Sequence, residues 1–196
     1  VILNTVNGDS NQAFFRALRK AGISSDVIPV MSFSIGEPEI QSLGSEELAG
    51  NFSAWSYFQS IDTSTNRDFL SAFHAHFGIE RVIGDPMEAI NLGVHLWASA
   101  VEISGSVDPK DVKSAMGGKA FSAARGAVRV DGNNQHLWQA ARIGRVREDG
   151  QFDIVWESDI LPPANFPASR SRSEWQQLLD SLYEAWGRNW ANPGAP

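Results

Sequence analysis

Residues 1–15 read Val1-Ile2-Leu3-Asn4-Thr5-Val6-Asn7-Gly8-Asp9-Ser10-Asn11-Gln12-Ala13-Phe14-Phe15, and this stretch decides the fold class. The apolar opening over residues 1–4 predicts a short buried strand, followed by a polar run that leads into a helix. Phe14, Ala17, Leu18 and Ala21 fall at i, i+3, i+4 and i+7, which is one helix face. Gly22 closes that helix. Ile28-Pro29-Val30-Met31-Ser32-Phe33 predicts a second strand with proline at its entry. Strand, helix, strand in this order favours parallel pairing and an α/β class.

The loop between the first strand and helix has three readings: a phosphate cradle, a plain turn, or the rim of a pocket. A phosphate loop needs either a lysine after its second glycine or three spaced glycines. This loop has one glycine, no lysine, and Asp9 where a phosphate would be repelled. As a turn, Asn7, Gly8 and Asp9 reverse the chain while Ser10 or Asn11 caps the helix. As a rim, the polar groups sit at the carboxyl end of a strand, where open α/β sheets bind ligands. The next junction, Ser32-Phe33-Ser34-Ile35-Gly36-Glu37, ends a neighbouring strand, so its hydroxyls can face the same crevice. Glu37 also reads as a helix N-terminal acid favoured by the dipole.

Further along, a short helix is expected over residues 37–43 and an extended aromatic segment over 50–58. A helix over 66–77 carries Phe69, Leu70, Phe73 and Phe77 on one side. Asp85-Pro86-Met87-Glu88 predicts a helix start with Asp85 as cap, and the helix to about Ile103 is apolar nearly all round, hence central. Asp108-Pro109 starts another helix, ending at Gly117-Gly118. Ala127–Val130 and Leu137–Val146 predict strands, and Asp149-Gly150 turns into Phe152, Ile154 and Trp156 as the buried face of a hairpin. Pro162, Pro163 and Pro167 mark a linker. Ser171 with Glu174 forms a capping box for a last helix whose face is Trp175, Leu178, Leu179, Leu182 and Trp186.

Composition narrows the function classes. The 196 residues carry a net charge of −7 and scattered arginines, which argues against a nucleic-acid surface. The densest group, Arg142, Arg145 and Arg147, reads as the solvated side of a strand. With no cysteine, neither disulfides nor thiolate metal sites are available. His74 and His76 are two apart and diverge on a helix, and His95 and His136 stand alone, so no metal or other cofactor is expected. There is no Gly-x-Ser-x-Gly elbow and no pair of carboxylates on one inward face, which disfavours an amidase-type enzyme. The tryptophans read as packing residues. No stretch reaches the length of a membrane span, and the abrupt start inside a strand suggests a piece cut from something longer.

Against this background, residues 4–11 with Ala13-Phe14-Phe15 closely resemble the urea-binding proteins of bacterial ABC transporters. So do Ile28 to Glu39, Ala49 to Asp62, Gly84 to Ala89, Arg142 to Arg145, Gly150 to Ser158, and the tail Trp186-Gly187 with Asn189 to Pro193. The resemblance covers essentially the whole chain. More loosely, the sequence is similar to the cytoplasmic amide sensor that regulates amidase expression, which leaves a sensor on the same fold as the alternative function.

The resemblance implies a type I periplasmic-binding-protein fold: two α/β lobes with parallel sheets, three crossings between them, and a ligand closed in the cleft. By it, this chain is an incomplete C-terminal portion. Residues 1–50 belong to the second lobe, 54–140 to the first, 141–160 return to the second, and 161–196 are linker and terminal helix. Thr5, Val6 and Asn7 match the family's pocket loop, Ser34 and Ile35 the next strand end, with Glu37 nearby. The implied ligand is urea or a short amide and the implied partners are transporter permease subunits. The implied place is periplasmic or extracellular, with a signal peptide upstream of Val1. Without the N-terminal half, exposed strand edges would favour a dimer.

Overall fold

The computed structural model describes residues 1–191. Residues 1–162 form one compact unit, and the chain from Pro163 forms a second.

The first unit opens with β1 (Ile2–Asn4), α1 (Ser10–Lys20), β2 (Val30–Ser32), α2 (Glu37–Leu43), α3 (Ser45–Leu48) and β3 (Phe52–Trp55). The three strands are parallel, with Leu3 beside Met31 and Met31 beside Phe52. The chain then leaves this sheet for α4 (Ser64–Phe77), α5 (Asp85–Ser104) and α6 (Pro109–Met116). After them β4 (Ala120–Ala123), β5 (Gly126–Val130) and β6 (Leu137–Trp138) make a separate antiparallel sheet. It returns as β7 (Arg142–Val146) and β8 (Phe152–Glu157), a hairpin that completes the order β1-β2-β3-β7-β8. The class is α/β, as the β-α-β opening predicts, but the sheets are not parallel throughout. β7 joins the first sheet antiparallel to β3, β8 pairs antiparallel with β7 because a tight turn connects them, and β4, β5 and β6 are antiparallel altogether.

The main core gathers Phe15 from α1, Val30, Ile35, Ile40, Leu48, Phe58, Val146 and Phe152. Gly144 lets β7 pass beneath two of these rings: a Cβ there would lie 2.8 Å from Phe58 and 2.9 Å from Phe152. A second core joins Leu92 and Leu96 of α5 to Val128 and Val130 of β5, and a third joins Tyr57, Ile61, Ile83 and Ala124.

Several local expectations are corrected. Asp85 does not cap α5; the cap is Gly84, and the Asp85 carboxylate accepts from the backbone N–H groups of Ser56 and Tyr57 at 3.1 and 2.8 Å. Neither Ser10 nor Asn11 caps α1, where Asp9 holds the cap position with no side-chain bond. The predicted strand 137–146 is two strands in two sheets, because Gln139 turns aside to pair with Leu161. β4 is only four residues, two of them alanine, too short and too poor in large or β-branched side chains to be visible as a strand. In β8 a bulge opposite Ile143/Gly144 breaks the alternation, leaving Trp156 49% exposed.

α5 is also not apolar-buried all round. Glu88, Leu92, Leu96 and Ala100 are buried, whereas Ile90, Val94 and Trp97 on the other side stay bare, with Ile90 70% exposed. The tryptophans are less enclosed than expected: all seven are half-buried or exposed.

In the second unit, α7 (Arg172–Ala185) starts at the predicted box. Ser171 N–H donates to Glu174 Oε2 at 2.7 Å, and the Ser171 hydroxyl accepts from Glu174 N–H. Trp175, Leu178, Leu179, Leu182 and Trp186 are half-buried on one face, and Trp190 stacks on Tyr183. Asn192 and Pro193 of the resembling tail lie outside the described residues.

Candidate functional site

β1 and β2 run parallel and adjacent, so the loops at their carboxyl ends must emerge side by side. Gly8 carries φ +64°, the left-handed turn that sends the chain from β1 back into α1. The two loops are then tied together by side chains. Asn4, Asn11 and Ser32 are all buried at the strand ends. Asn4 Oδ1 accepts from Val6 N–H at 3.0 Å, and Asn4 Nδ2 donates to Asn11 Oδ1 at 2.8 Å and to Ser32 Oγ at 3.1 Å. Asn11 Nδ2 donates to the Val6 carbonyl at 2.9 Å and to Ser34 Oγ at 3.4 Å. The Ser34 hydroxyl itself donates to the Val6 carbonyl.

The structure therefore places Val6 and Ser34 in direct contact, with Thr5 and Asn7 exposed beside them. Ile35 is different. Its side chain is in the main core and its carbonyl accepts from Trp55 Nε1 at 2.7 Å. Glu37 is the first residue of α2 and is 1% exposed. Its Oε1 accepts from Gln59 N–H at 2.6 Å, while Oε2 is buried without a partner. Burial pushes the Glu37 carboxyl up to about 7, against the pull of the Gln59 and Glu37 N–H groups, and Glu39 and Asp85 add repulsion.

Behind this rim lies a polar seam where the chain passes between the two sheets. Arg125, in the β4–β5 turn, is paired to Glu88 through Nε and stands 3.6 Å from Asp85. Its Nη1 also donates to Gln139 at 2.9 Å. Burial pushes the Glu88 carboxyl up, while the Arg125 guanidinium pulls it down. Asp85 and Glu88 thus do share an inward face, contrary to the expectation of dispersed acids. Arg142 is not the solvated arginine its neighbours suggest. It is 5% exposed, donates to the Ser56 carbonyl, and holds Glu157 with two bonds of 2.9 and 3.1 Å. Gln59 closes the seam, accepting from Ile83 N–H at 2.9 Å.

Both buried guanidiniums are thereby spent on protein groups. Apart from the exposed Asp9 carboxylate, what the rim offers a ligand is neutral: hydroxyls, an amide and backbone. Sequence reasoning missed Asn4 and Arg125. Asn4 had a signal, since an asparagine closing an apolar strand must find partners for a buried amide. Among the described residues no group of three or more His, Cys, Asp or Glu is placed to hold a metal ion, and no helix is long and apolar enough to cross a membrane.

An α/β unit with polar loops at the carboxyl ends of parallel strands is the architecture of a ligand-binding lobe. The chain belongs to the periplasmic binding protein domain family, whose model matches residues 1–172. Its fold is that of the type I members. It is similar to an amino acid ABC transporter substrate-binding protein from Pseudomonas fluorescens Pf-5, with TM-score 0.70 and 21% identity over 80% of this chain and 43% of that one. It is similar also to an ABC transporter solute-binding protein from Rhodopseudomonas palustris BisB5, solved with 3,4-dihydroxybenzoic acid. There the TM-score is 0.71 at 20% identity, covering 82% of this chain and 45% of that one. A protein of Geobacillus stearothermophilus named limonene hydroxylase is 31% identical over 149 residues, 72% of this chain and 27% of that protein. The chain thus spans less than half the length of each of these three relatives.

Proposed function

We propose that this chain is part of the solute-binding component of an ABC importer, taking urea or a short amide in a cleft between two lobes. On this reading residues 1–50 and 141–160 belong to one lobe and 54–140 to the other, except that Ala54 and Trp55 stay with the former as part of β3. The rest of the cleft comes from sequence outside this chain. The protein works in the periplasm or at the outer surface and hands its ligand to permease subunits when the lobes close.

The observation that carries the reading is the paired strand end: Val6 and Ser34 locked together, flanked by Thr5 and Asn7, with no free cation among the described residues of the rim. Urea is neutral and planar, with four N–H donors and one carbonyl acceptor, and it needs oxygens and amides rather than a compensating charge. One donor left unpaired in a closed cleft costs about 1–3 kcal/mol, which is how such a site rejects lookalikes. Ile35 contributes as a core wall beneath the rim, and Glu37 as a group behind it.

The test is calorimetric titration of urea, acetamide, leucine and 4-hydroxybenzoate into the full-length protein. Heat is expected from urea and acetamide. Heat from leucine or 4-hydroxybenzoate with none from the amides overturns the specificity. The isolated 196 residues are expected to bind urea very weakly or not at all, and micromolar binding by them contradicts the two-lobed cleft.

A further inference from the structure

The hydrogen-bond directions at the β1 and β2 ends follow from the backbone. Val6 N–H can only donate, so the group facing it at 3.0 Å must be the Asn4 oxygen. That turns Asn4 Nδ2 toward Asn11 and Ser32, and both its N–H bonds are used there. Asn11 must then present its oxygen to Asn4, which turns its own N–H groups toward the Val6 carbonyl and Ser34 Oγ. The Val6 carbonyl can only accept, so the Ser34 proton must point at it. A flip of Asn4 would set N–H against the Val6 N–H and oxygen against the Asn11 oxygen. A flip of Asn11 would set oxygen against the Val6 carbonyl and N–H against the Asn4 N–H, whereas the Ser32 and Ser34 hydroxyls can donate or accept and so follow the amides.

We infer that this Asn4–Asn11 relay determines specificity: it spends the Ser34 proton on Val6, so that Ser34 faces the cleft as an acceptor alone and selects a ligand with an N–H donor over a carboxylate. The inference rests on the proposal above that this rim binds the solute. Asn4 and Asn11 touch no ligand here; they are positioning residues, and Ser34 is the group that reads the ligand. One Ser34 lone pair is occupied by Asn11 and one remains. A carboxylate oxygen brought to that lone pair meets another acceptor, with no cation among the described residues of the rim to compensate. An amide –NH2 in the same place completes the bond.

Acetamide and acetate have nearly the same shape and differ in this property, so they are the probes. In the full-length protein, acetamide is expected to bind at least a hundredfold more tightly than acetate. Ser34→Ala removes the acceptor and should weaken acetamide about tenfold or more without weakening acetate. Asn4→Asp keeps an oxygen for Val6 N–H but removes the donor to Asn11. The Asn11 amide must then turn its N–H groups toward residue 4, and the acetamide-to-acetate ratio should fall at least tenfold, with a shift of the Asn11 side-chain amide resonances. Far-UV circular dichroism and the thermal midpoint identify any variant that fails to fold. If Asn4→Asp is one, Ser34→Ala decides the question alone. Acetate binding as tightly as acetamide overturns the inference, as does a folded Asn4→Asp variant, or where that fails Ser34→Ala, with an unchanged ratio. If none of urea, acetamide and acetate binds, the proposed site falls and this inference with it.

Discussion

Glu88 and Glu37 are both about 1% exposed and both sit in the first turn of a helix, yet they are held in opposite ways. Glu88 meets a guanidinium, and its burial is answered by charge. Glu37 meets only backbone N–H groups, chiefly that of Gln59, and keeps an oxygen with no partner. The difference teaches how this fold tolerates acid in its interior. At the seam between sheets a guanidinium answers the charge in place, whereas behind the rim burial raises the carboxyl to about 7.

Removing the cation from the first site should have the largest effect. Arg125→Leu strands Glu88 and Asp85 and is expected to cost about 3–5 kcal/mol in urea unfolding. Adding Glu88→Gln should recover more than half of that. No recovery would show that Arg125 acts by packing, and the contrast with Glu37 would dissolve.

The second site should respond to pH instead. The Glu37 carboxyl titrates near 7 when folded and near 4.5 when unfolded, so the unfolded chain releases its proton first as pH rises. The contribution is complete below pH 4.5, declines between 4.5 and 7, and is gone above 7. Glu37→Gln cannot titrate but can still accept from Gln59. It should match the parent at pH 4 and exceed it at pH 8 by on the order of 3 kcal/mol. Equal stabilities at pH 8 would mean that the carboxyl is paired after all.

A smaller effect separates charge from packing. Gly144→Ala pushes a methyl into Phe58 and Phe152 and should cost about 1–3 kcal/mol at every pH, read from the thermal midpoint. The smallest is the surface counterpart of the Arg125 pair. Arg147 and Asp149 are 44% and 50% exposed in their side chains. Asp149→Asn should therefore change stability by less than about 1 kcal/mol, and less still in high salt.

The parts of this fold that were legible in the sequence are those with local causes. Spacing marks α1, α4 and α7, proline and capping residues mark α6 and α7, and Asp149-Gly150 marks the β7–β8 turn. The seam was not legible, because its partners are distant in sequence. Arg125 and Glu88 are 37 positions apart, and Arg142 and the Ser56 carbonyl 86. For the same reason Arg142 looked like its solvated neighbours, and Asp85 looked like a cap. At the rim, the residue types at positions 5–7 and 34 pointed to the loop ends. Which atoms were already committed emerged only once Asn4 and Asn11 faced each other.

α5 has a mechanical consequence. Twenty residues make a rod about 30 Å long, and one end is pinned where Asp85 grips two successive amides of the Ser56–Tyr57 segment. Farther along, Leu92 and Leu96 are packed on β5, so the rod and the antiparallel sheet make one stiff body. Any tilt of that body is handed directly to the Ser56–Tyr57 segment that joins the two sheets.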